Sequence, residues 1–369
     1  MPLPAVFPVT VRRRLRRRNA GARLLGAWLL LVLAVPASAP AADDIMSPGF
    51  DDRPLQEPVE TPEWFKLSFL DLHDDLTEAL AAGKRGLLLY FGQKYCPYCK
   101  ALLENDFGKQ DITAYTRHHF DVVAIDTRGN RLVTDMDGTI TAEAQFAVDQ
   151  KASLTPTLIF YDDSAREVFR LVGYHPPYQF RAALEYVADR HYRTETFRHY
   201  LARAEGALHL DEGTLNHRDF FSAPPHMLDR SHFRAQRPLV VFFEQRNCHA
   251  CDVLYAGPLS NAATLRLLRR FDAVQLDMWS DEPVVTPAGR RTTARAWAQR
   301  LGLYYAPTLI FYDESGQEVM RLASVVHFYR LQGVLRYVLS KGYRQYGSFQ
   351  RWRRRAGASA PAPASGADP

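Results

Sequence analysis

The stretch KYCPYCK at Lys94–Lys100 decides the fold. It follows the apolar run Leu87–Phe91, so a CxxC motif, two cysteines separated by two residues, stands where a predicted strand passes into a predicted helix. Proline suits the first position of that helix because its missing N–H would have no partner there. A helix that begins at Pro97 has free N–H groups and a dipole that favour a thiolate at Cys96. Cys99, one turn later, is predicted to be the more buried, resolving thiol.

A CxxC motif by itself is not specific, because it can also be half of a zinc site, a structural bridge or two buried thiols. Three observations favour a redox site. The nearby sequence holds no second CxxC that would complete a four-cysteine zinc site. The strand–CxxC–helix context is typical of redox proteins. Pro156 follows Cys96 by 60 residues (156 − 96) and leads directly into an apolar, strand-like run over residues 157–162.

The order of these landmarks occurs twice, which predicts two tandem domains. The run Pro-Thr-Leu-Ile-Phe-Tyr-Asp is identical at residues 156–162 and 307–313, and a second CxxC, Cys248–Cys251, begins 59 residues (307 − 248) before the second proline. For the first copy we predict helices over 67–80, 97–107, 141–150 and 177–189 and strands over 86–91, 120–126, 157–162 and 167–172. For the second copy we predict strands over 238–243, 271–277, 308–313 and 318–322 and a helix over 293–301.

Around these landmarks the chain resembles the thioredoxin superfamily, in which a CxxC motif at a helix start faces a cis-proline that opens a strand. Pro97-Tyr98 is the dipeptide seen in glutaredoxins. Residues 62–204 look most like the periplasmic SoxW-like branch. The residues that carry this closer likeness are Phe91-Gly92-Gln93, Asp137-Gly138, Thr155-Pro156-Thr157, Glu167-Val168 through Gly173-Tyr174, and the aromatic tail Tyr192 to Tyr200. The resemblance implies an α/β fold class with two tandem thioredoxin-like folds, each a central mixed β-sheet flanked by helices.

The resemblance also implies an activity, that of an exported thiol–disulfide oxidoreductase. Such a protein would reduce or isomerise disulfides in periplasmic client proteins, possible clients being proteins of sulfur oxidation or cytochrome c maturation. Electrons would come from a membrane thiol relay, since the chain shows no nucleotide-binding motif, and no cofactor is expected. All four cysteines lie in the two motifs. The implied catalytic residues are Cys96, Cys99, Cys248 and Cys251, and the implied substrate-binding residues are Tyr95, Pro97, Tyr98, Thr155, Pro156, Ala306 and Pro307.

The sequence departs from the family pattern in both copies. Thioredoxins keep a buried acid six residues before the first cysteine, where this chain has Tyr90 and Phe242. The second copy also has Asn247 before its cysteines, His249-Ala250 between them, Ala306 before the proline, and Ser324 where the first copy has Gly173. His249 could stabilise a thiolate, or it could complete a soft-metal site with the two cysteines. A second hypothesis is therefore a non-catalytic module that binds a partner or Cu/Zn, above all through the second copy.

The start of the chain predicts export. Residues 1–42 contain seven arginines and no acid, and the apolar run Leu24–Val35 is too short to span a bilayer comfortably. Small residues follow, so we expect cleavage after Ala41 or Ala42 and a periplasmic location; a retained anchor is the alternative. Paired arginines also permit twin-arginine export. Without this segment the net charge changes from +5 to −2, with 39 basic and 41 acidic residues, which gives no electrostatic case for nucleic acid.

The predicted domain organisation follows from these signals. It comprises a signal peptide over 1–42, a linker over 43–61, a first thioredoxin-like domain over 62–204, a linker over 205–236, a second domain over 237–355 and a disordered tail over 356–369. Four histidines of the second linker, residues 209, 217, 226 and 232, match no common metal-site spacing, so we interpret that linker as solvated. The arginines at 351 and 353–355 are interpreted as a solvated helix end, with contact to anionic lipid as the alternative.

Overall fold

The structure is a computed structural model that describes residues 44–204 and 213–358. The predicted signal peptide and residues 359–369 of the predicted tail lie outside the described residues. Over the part of the chain that is described, no helix is long and apolar enough to cross a membrane.

The first domain is built on a four-stranded mixed sheet. Its strands are β1 Gly86–Gly92, β2 Phe120–Asp126, β5 Thr157–Tyr161 and β6 Glu167–Val172, with a hairpin of β3 Leu132–Thr134 and β4 Ile140–Ala142 beside them. Its helices are α1 Leu72–Ala81, α2 Pro97–Ala101, α3 Gln110–His119, α4 Glu143–Asp149, α5 Pro177–Ala188 and α6 Phe197–Ala204. The sheet order is β2-β1-β5-β6, and β1 pairs in parallel with β2 but antiparallel with β5.

Helices cover both faces of this sheet, which explains the unbroken apolar run of β1. Successive side chains of a strand point to opposite faces. Leu87, Leu89 and Phe91 lie in one core with residues of α1 and α4, whereas Leu88 and Tyr90 lie in the other core with residues of α2 and α5. All seven residues of β1 are buried. A central strand covered on both faces has no reason to alternate between apolar and polar residues.

The second domain repeats this arrangement. Its strands are β8 Leu239–Glu244, β9 Asp272–Asp277, β12 Thr308–Tyr312 and β13 Glu318–Leu322, in the order β13-β12-β8-β9, and a small second sheet contains β7 His226–Met227, β10 Pro283–Val285 and β11 Arg291–Thr293. Its helices are α7 His249–Ala256, α8 Ala262–Leu268, α9 Ala294–Arg300, α10 Phe328–Leu339, α11 Gly342–Tyr346 and α12 Phe349–Ala358. The predicted fold class, two tandem thioredoxin-like folds, is confirmed.

Several element bounds differ from the sequence-based expectation. The first helix begins at Leu72 rather than at the predicted Leu67, because Asp71 caps it by accepting from the backbone N–H of Asp74. Leu67 is fully exposed. The helix after the first CxxC is α-helical only to Ala101 and continues as a π-helical turn over Leu102–Asp106. The helices α3 and α8 were not predicted, and neither were the two hairpins of three-residue strands.

Both segments predicted as linkers contain buried residues that pack on the domains. In the first of them, Ile45 and Asp52 are buried. In the second, Phe221 pairs with Ala273 beside the sheet, and its ring lies 5.1 Å from that of Phe242. The described part of this second segment therefore covers the second domain rather than running freely through solvent.

The two domains meet through equivalent loops, the ones that follow β6 and β13. Gly173 has a φ of +90°, and a Cβ built on it would lie 2.1 Å from Oγ of Ser324, its counterpart in the second copy. The next pair of counterparts is hydrogen-bonded, with Val325 N–H donating to the Tyr174 carbonyl at 3.1 Å. Gly173 N–H donates to the Pro156 carbonyl at 2.8 Å, and Ala250, inside the second CxxC motif, packs against the core that contains Cys96. The CxxC-bearing sides of the two domains therefore face each other. Tyr305 and Val325 accordingly belong to the same core as Cys96.

Candidate active site

Cys96 caps the N-terminus of α2. Its extended backbone (φ −102°, ψ 110°) ends the loop from β1, and its Sγ accepts a hydrogen bond from the backbone N–H of Cys99 at 3.0 Å. Pro97 occupies the first helical position, as the sequence predicts. A sulfur held at a helix start by a backbone N–H is stabilised in its charged form. Both cysteines of this pair are free thiols and both are buried.

The loop before β5 forms the opposite wall of the site. The Thr155–Pro156 peptide bond is cis, and so is Ala306–Pro307 in the second domain. Cys96 Sγ lies 3.3 Å from the Thr155 hydroxyl oxygen and 3.6 Å from the Thr155 carbonyl oxygen. The side-chain amide of Gln93 donates to the same hydroxyl at 2.9 Å. The structure thus brings together the cysteine and the proline loop that lie 60 residues (156 − 96) apart in the sequence.

The two thiols of this pair have very different pKa values. Burial alone would raise the pKa of Cys96, but a hydrogen bond with the Cys99 thiol, the positive charge of Arg330 and a hydrogen bond with Thr155 lower it to about 7. Burial, together with the neighbouring Cys96 sulfur, raises the pKa of Cys99 well above its usual value. One thiol is therefore partly ionised near neutral pH while the other keeps its proton, which is the asymmetry that a nucleophile and a resolving thiol need.

Tyr90 replaces the buried acid that the sequence lacks in the first domain. Its hydroxyl is hydrogen-bonded with the Cys99 thiol, and burial raises the pKa of Tyr90 well above its ordinary value. A neutral phenol cannot act as a base here, but it can donate a hydrogen bond to a Cys99 thiolate as that thiolate forms. Gly92 makes room for this hydroxyl, since a Cβ at Gly92 would lie 2.5 Å from the Tyr90 oxygen.

A different buried group occupies this region of the second domain. Glu244, at the end of β8, stands where the first domain has Gly92, and it is fully buried. Its carboxylate accepts from the Tyr255 hydroxyl at 2.9 Å and from the Gln275 amide at 2.8 Å. Burial raises the pKa of Glu244 to about 7, although both hydrogen bonds oppose the shift. The two domains thus use different side chains beneath their CxxC helices.

Tyr98, the second residue between the cysteines, is covered by the first turn of α10 and by residues 44–61, here called the N-terminal segment. The Tyr98 hydroxyl donates to Asp52 Oδ2 at 2.9 Å and accepts from the backbone N–H of His327 at 2.8 Å. Asp52 also accepts from the backbone N–H groups of Tyr329 and Arg330, at 2.6 and 2.7 Å. One carboxylate therefore joins the CxxC helix of the first domain to the first turn of α10 in the second.

The N-terminal segment also runs along the loop that leads into the CxxC motif. Leu55 N–H donates to the carbonyl of Tyr95 at 3.2 Å, and Val59 N–H donates to that of Lys94 at 2.6 Å. The Ile45 carbonyl lies 2.7 Å from Nε2 of His327. Cys96 itself is only 2% exposed.

The second CxxC pair forms a disulfide between Cys248 and Cys251. Cys248 caps α7 as Cys96 caps α2, and its Sγ lies 3.5 Å from the Ala306 carbonyl oxygen. His249 is exposed at the surface between them. Within the described ranges, no group of three or more His, Cys, Asp or Glu side chains is gathered in a way that could hold a metal ion.

The predicted site residues fall into an accessible group and a buried group. In the accessible group, Tyr95 is 44% exposed and Ala306 is half-buried. The buried predicted residues are Cys96, Pro97, Tyr98, Cys99, Thr155, Pro156, Cys248, Cys251 and Pro307. Sequence reasoning did not find Asp52, His327 and Arg330. The only available signal for them was that Arg330 stands where the first copy has the neutral Gln179.

Comparison with known proteins gives a family but no curated relative. The sequence profile of the thioredoxin-like domain matches residues 72–188 and 233–339. A comparison with curated proteins gave no match. Among solved structures, the chain is similar to a thioredoxin-fold protein from Helicobacter pylori, with 22% identity, a TM-score of 0.31, and coverage of 38% of this chain and 92% of the other.

Two further structures show similarity of the same order. A thioredoxin from Thermus thermophilus has 23% identity and a TM-score of 0.27, over 35% of this chain and 88% of its own. A disulphide isomerase from Xylella fastidiosa has 20% identity and a TM-score of 0.22, over 40% of this chain and 99% of its own. The assignment rests on the profile, which matches both halves and more than half of the sequence. The chain belongs to the thioredoxin-like domain family, with one such domain in each half.

Proposed function

We propose that the protein is an exported thiol–disulfide oxidoreductase that reduces or isomerises disulfides of periplasmic client proteins. The observation that carries this proposal is the first CxxC pair, in which Cys96 has a pKa of about 7 and Cys99 a strongly raised one. Perturbed pKa values of opposite direction in one buried thiol pair are typical of a redox site. The likeness of residues 62–204 to the SoxW-like branch, and the Arg-rich start of the chain, support the periplasmic part of the proposal.

The proposed reaction is a two-step exchange of disulfide bonds. The Cys96 thiolate attacks one sulfur of a client disulfide, so a bond forms between Cys96 and the client while the client S–S bond breaks. The released client sulfur leaves as a thiolate and takes up a proton. Cys99 then loses its proton and attacks Cys96, which frees the second client thiol and leaves a Cys96–Cys99 disulfide. The protein has given two electrons to the client, and an external dithiol, proposed to be a membrane thiol relay, returns them.

A client has to reach a site that the protein's own residues cover. In the thioredoxin family, the backbone at the residue before the cis-proline pairs with an extended substrate segment. Here the Thr155 carbonyl already accepts from Arg330 at 2.6 Å. An extended client would therefore replace Arg330 at this carbonyl. It would also have to separate the two domains at the contact between Gly173 and Ser324, so a client that cannot do this would not reach Cys96.

The test is disulfide reduction by the processed chain, beginning at Ala42 or Asp43, with a chemical dithiol as the electron source. Cys96→Ser is expected to abolish turnover of a disulfide-containing protein substrate, because no other sulfur of the first domain has a lowered pKa. Cys248→Ser is the matched control, and it is expected to leave part of the turnover. Full activity of the Cys96→Ser chain would overturn the proposal. The reduction potential of each pair, which lies between about −270 and −120 mV in known CxxC proteins, would then fix the direction of electron flow.

A second candidate function, partner or soft-metal binding by the second domain, is favoured by one observation. His249 is exposed beside a cysteine pair whose neighbours differ from those of the first pair. Metal content after purification under reducing conditions separates the two functions. Stoichiometric copper or zinc that is lost on Cys248→Ser would favour binding, whereas its absence would favour exchange chemistry at both pairs.

A further inference from the structure

Arg330 belongs to the second domain, but its side chain enters the active site of the first. It lies in the first turn of α10 and is only 4% exposed. Its Nη2 donates to the Thr155 carbonyl at 2.6 Å, and its guanidinium carbon lies 3.4 Å from the centre of the Tyr98 ring. The Thr155 carbonyl is the same atom that lies 3.6 Å from Cys96 Sγ. The guanidinium and the sulfur thus share one backbone acceptor.

The charge of this arginine has no carboxylate partner at the site. Asp52 accepts from the backbone N–H of Arg330, yet among the described residues no acidic side chain lies within ion-pair distance of the guanidinium, and its buried Nη1 has no hydrogen-bond acceptor. A buried cation without a counterion is costly. A thiolate at Cys96 would supply the missing negative charge, and the arginine in turn favours that thiolate.

We propose that Arg330 is a positioning residue of the Cys96 site, supplied by the second domain to hold the attacking sulfur of the first domain in its thiolate form. The proposal rests on the proposed function and names the part that the second domain plays in it. It also explains why the domains face each other through the loops at Gly173 and Ser324. The arrangement is one-sided, because the counterpart of Arg330 in the first domain is the neutral Gln179, which pairs with His175 at 3.3 Å.

Formation of the mixed disulfide would weaken the interaction that holds Arg330 at the site. Once Cys96 is bonded to a client sulfur, it carries no charge, so the electrostatic attraction between the sulfur and the guanidinium ends. The Thr155 carbonyl would then be free to accept from the client backbone. The same arginine would therefore activate the sulfur before attack and yield its place after it.

Other titratable and charged groups also surround Cys96, and the test must leave them unchanged. Cys99 lies on α2 and Tyr90 on β1. Arg128 lies in the loop after β2 and interacts electrostatically with Cys96. Asp52 and His327 lie on the far side of Tyr98. Only a substitution of Arg330 alone, compared with a matched loss of charge elsewhere on α10, isolates its contribution.

The experiment is an ultraviolet titration of the Cys96 thiolate in the full processed chain. Cys248→Ser and Cys251→Ser are present throughout, so that only the first pair titrates, and subtraction of the Cys96→Ser spectrum assigns the signal. The parent is expected to titrate near pH 7. Arg330→Gln is expected to raise the midpoint by about one pH unit or more, which lowers the thiolate fraction at pH 7 about fivefold. Arg336→Gln, an exposed change of equal charge on the same helix, is expected to leave the midpoint unchanged.

Arg330→Lys keeps the positive charge and makes the test independent of the folding of the Gln variant. Its midpoint is expected to stay within about half a unit of the parent. The proposal is overturned if Arg330→Gln, shown by circular dichroism to be folded, titrates as Arg336→Gln does, or if Arg330→Lys shifts by a full unit. Normal titration of Cys96 in a chain that reduces no disulfide would instead contradict the proposed function while leaving the role of Arg330 intact.

Discussion

Asp52 is predicted to hold the N-terminal segment and α10 against the CxxC helix, and its replacement by alanine tests this directly. The carboxylate is 5% exposed and accepts three hydrogen bonds, from the Tyr98 hydroxyl at 2.9 Å and from the backbone N–H groups of Tyr329 and Arg330 at 2.6 and 2.7 Å. A hydrogen bond to a charged group contributes about 1.5–3 kcal/mol, and the three are not additive because they share one carboxylate. We expect local opening at the start of α10 to become easier by about 3 kcal/mol.

Hydrogen exchange at the amides of Tyr329 and Arg330 measures this opening free energy locally, without assuming that the two domains unfold together. A loss of about 3 kcal/mol corresponds to exchange that is roughly a hundredfold faster. The control is Asp51→Ala, in the neighbouring residue, whose carboxylate pairs, among the described residues, with Arg53 in an exposed ion pair at 2.6 Å. Solvent screens such an exposed pair, so it contributes little to stability. Equal exchange rates at these two amides in the Asp51→Ala and Asp52→Ala variants would refute the reasoning.

Two further predictions concern the domain contact and the second domain. Gly173→Ala is expected to lower the thermal midpoint more than Gly138→Ala does, because both glycines have a similar positive φ (+90° and +82°) but only a Cβ at Gly173 meets Ser324; equal losses would contradict the packing of the two loops. Burial raises the pKa of Glu244 to about 7 in the folded protein, from about 4.5 in the unfolded chain. Between these two pH values the folded state holds a proton that the unfolded state has lost. The free energy of unfolding therefore falls by about 3 kcal/mol as pH rises from about 4.5 to 7. Glu244→Gln is expected to flatten the dependence of the thermal midpoint on pH between 5 and 8, and an unchanged slope would show that another group is responsible.

The domain architecture was accessible from sequence because its signals are local and repeated. A central strand covered on both faces reads as an apolar run, and the PTLIFYD run marks the start of a strand in both copies. The helices α3 and α8 lacked such a signal. Residues 110–119 bury only Ile112 and Thr116, too few to produce an apolar stripe that stands out in the sequence.

The cover over the active site was not accessible, since its parts are far apart in sequence. Asp52 lies in a polar, proline-containing stretch with the composition of a linker, and nothing local shows that its carboxylate meets α10, 277 residues later at Tyr329. The replacement of Gly173 by Ser324 in the second copy was visible, but not that the two residues touch. Sequence repeats show which positions are equivalent, whereas the contact between the copies depends on how the two folded domains pack against each other.

The proton chemistry of the thiol pairs was predicted only in part. Tyr90 and Phe242 stand where thioredoxins have a buried acid. Their presence indicated that another group must assist proton transfer at the second cysteine, but the sequence pattern could not identify that group. In the first domain, the Tyr90 hydroxyl itself contacts Cys99, in space that Gly92 leaves open. Such substitutions depend on which side chain fills a small buried volume, and this is decided by packing rather than by position in a motif.

The most direct test of the central claim is to trap the mixed disulfide on Cys96. In a Cys99→Ala chain the resolving thiol is absent, so client proteins attached to Cys96 should remain bound and should appear as reducible adducts when envelope extracts are separated by non-reducing electrophoresis. Mass spectrometry should identify periplasmic proteins with disulfides, and the adducts should disappear when Cys96 is also changed to Ser. Cys251→Ala should trap fewer or different species. A folded Cys99→Ala chain that carries no adduct on Cys96 would contradict the account and remove the protein from the oxidoreductases.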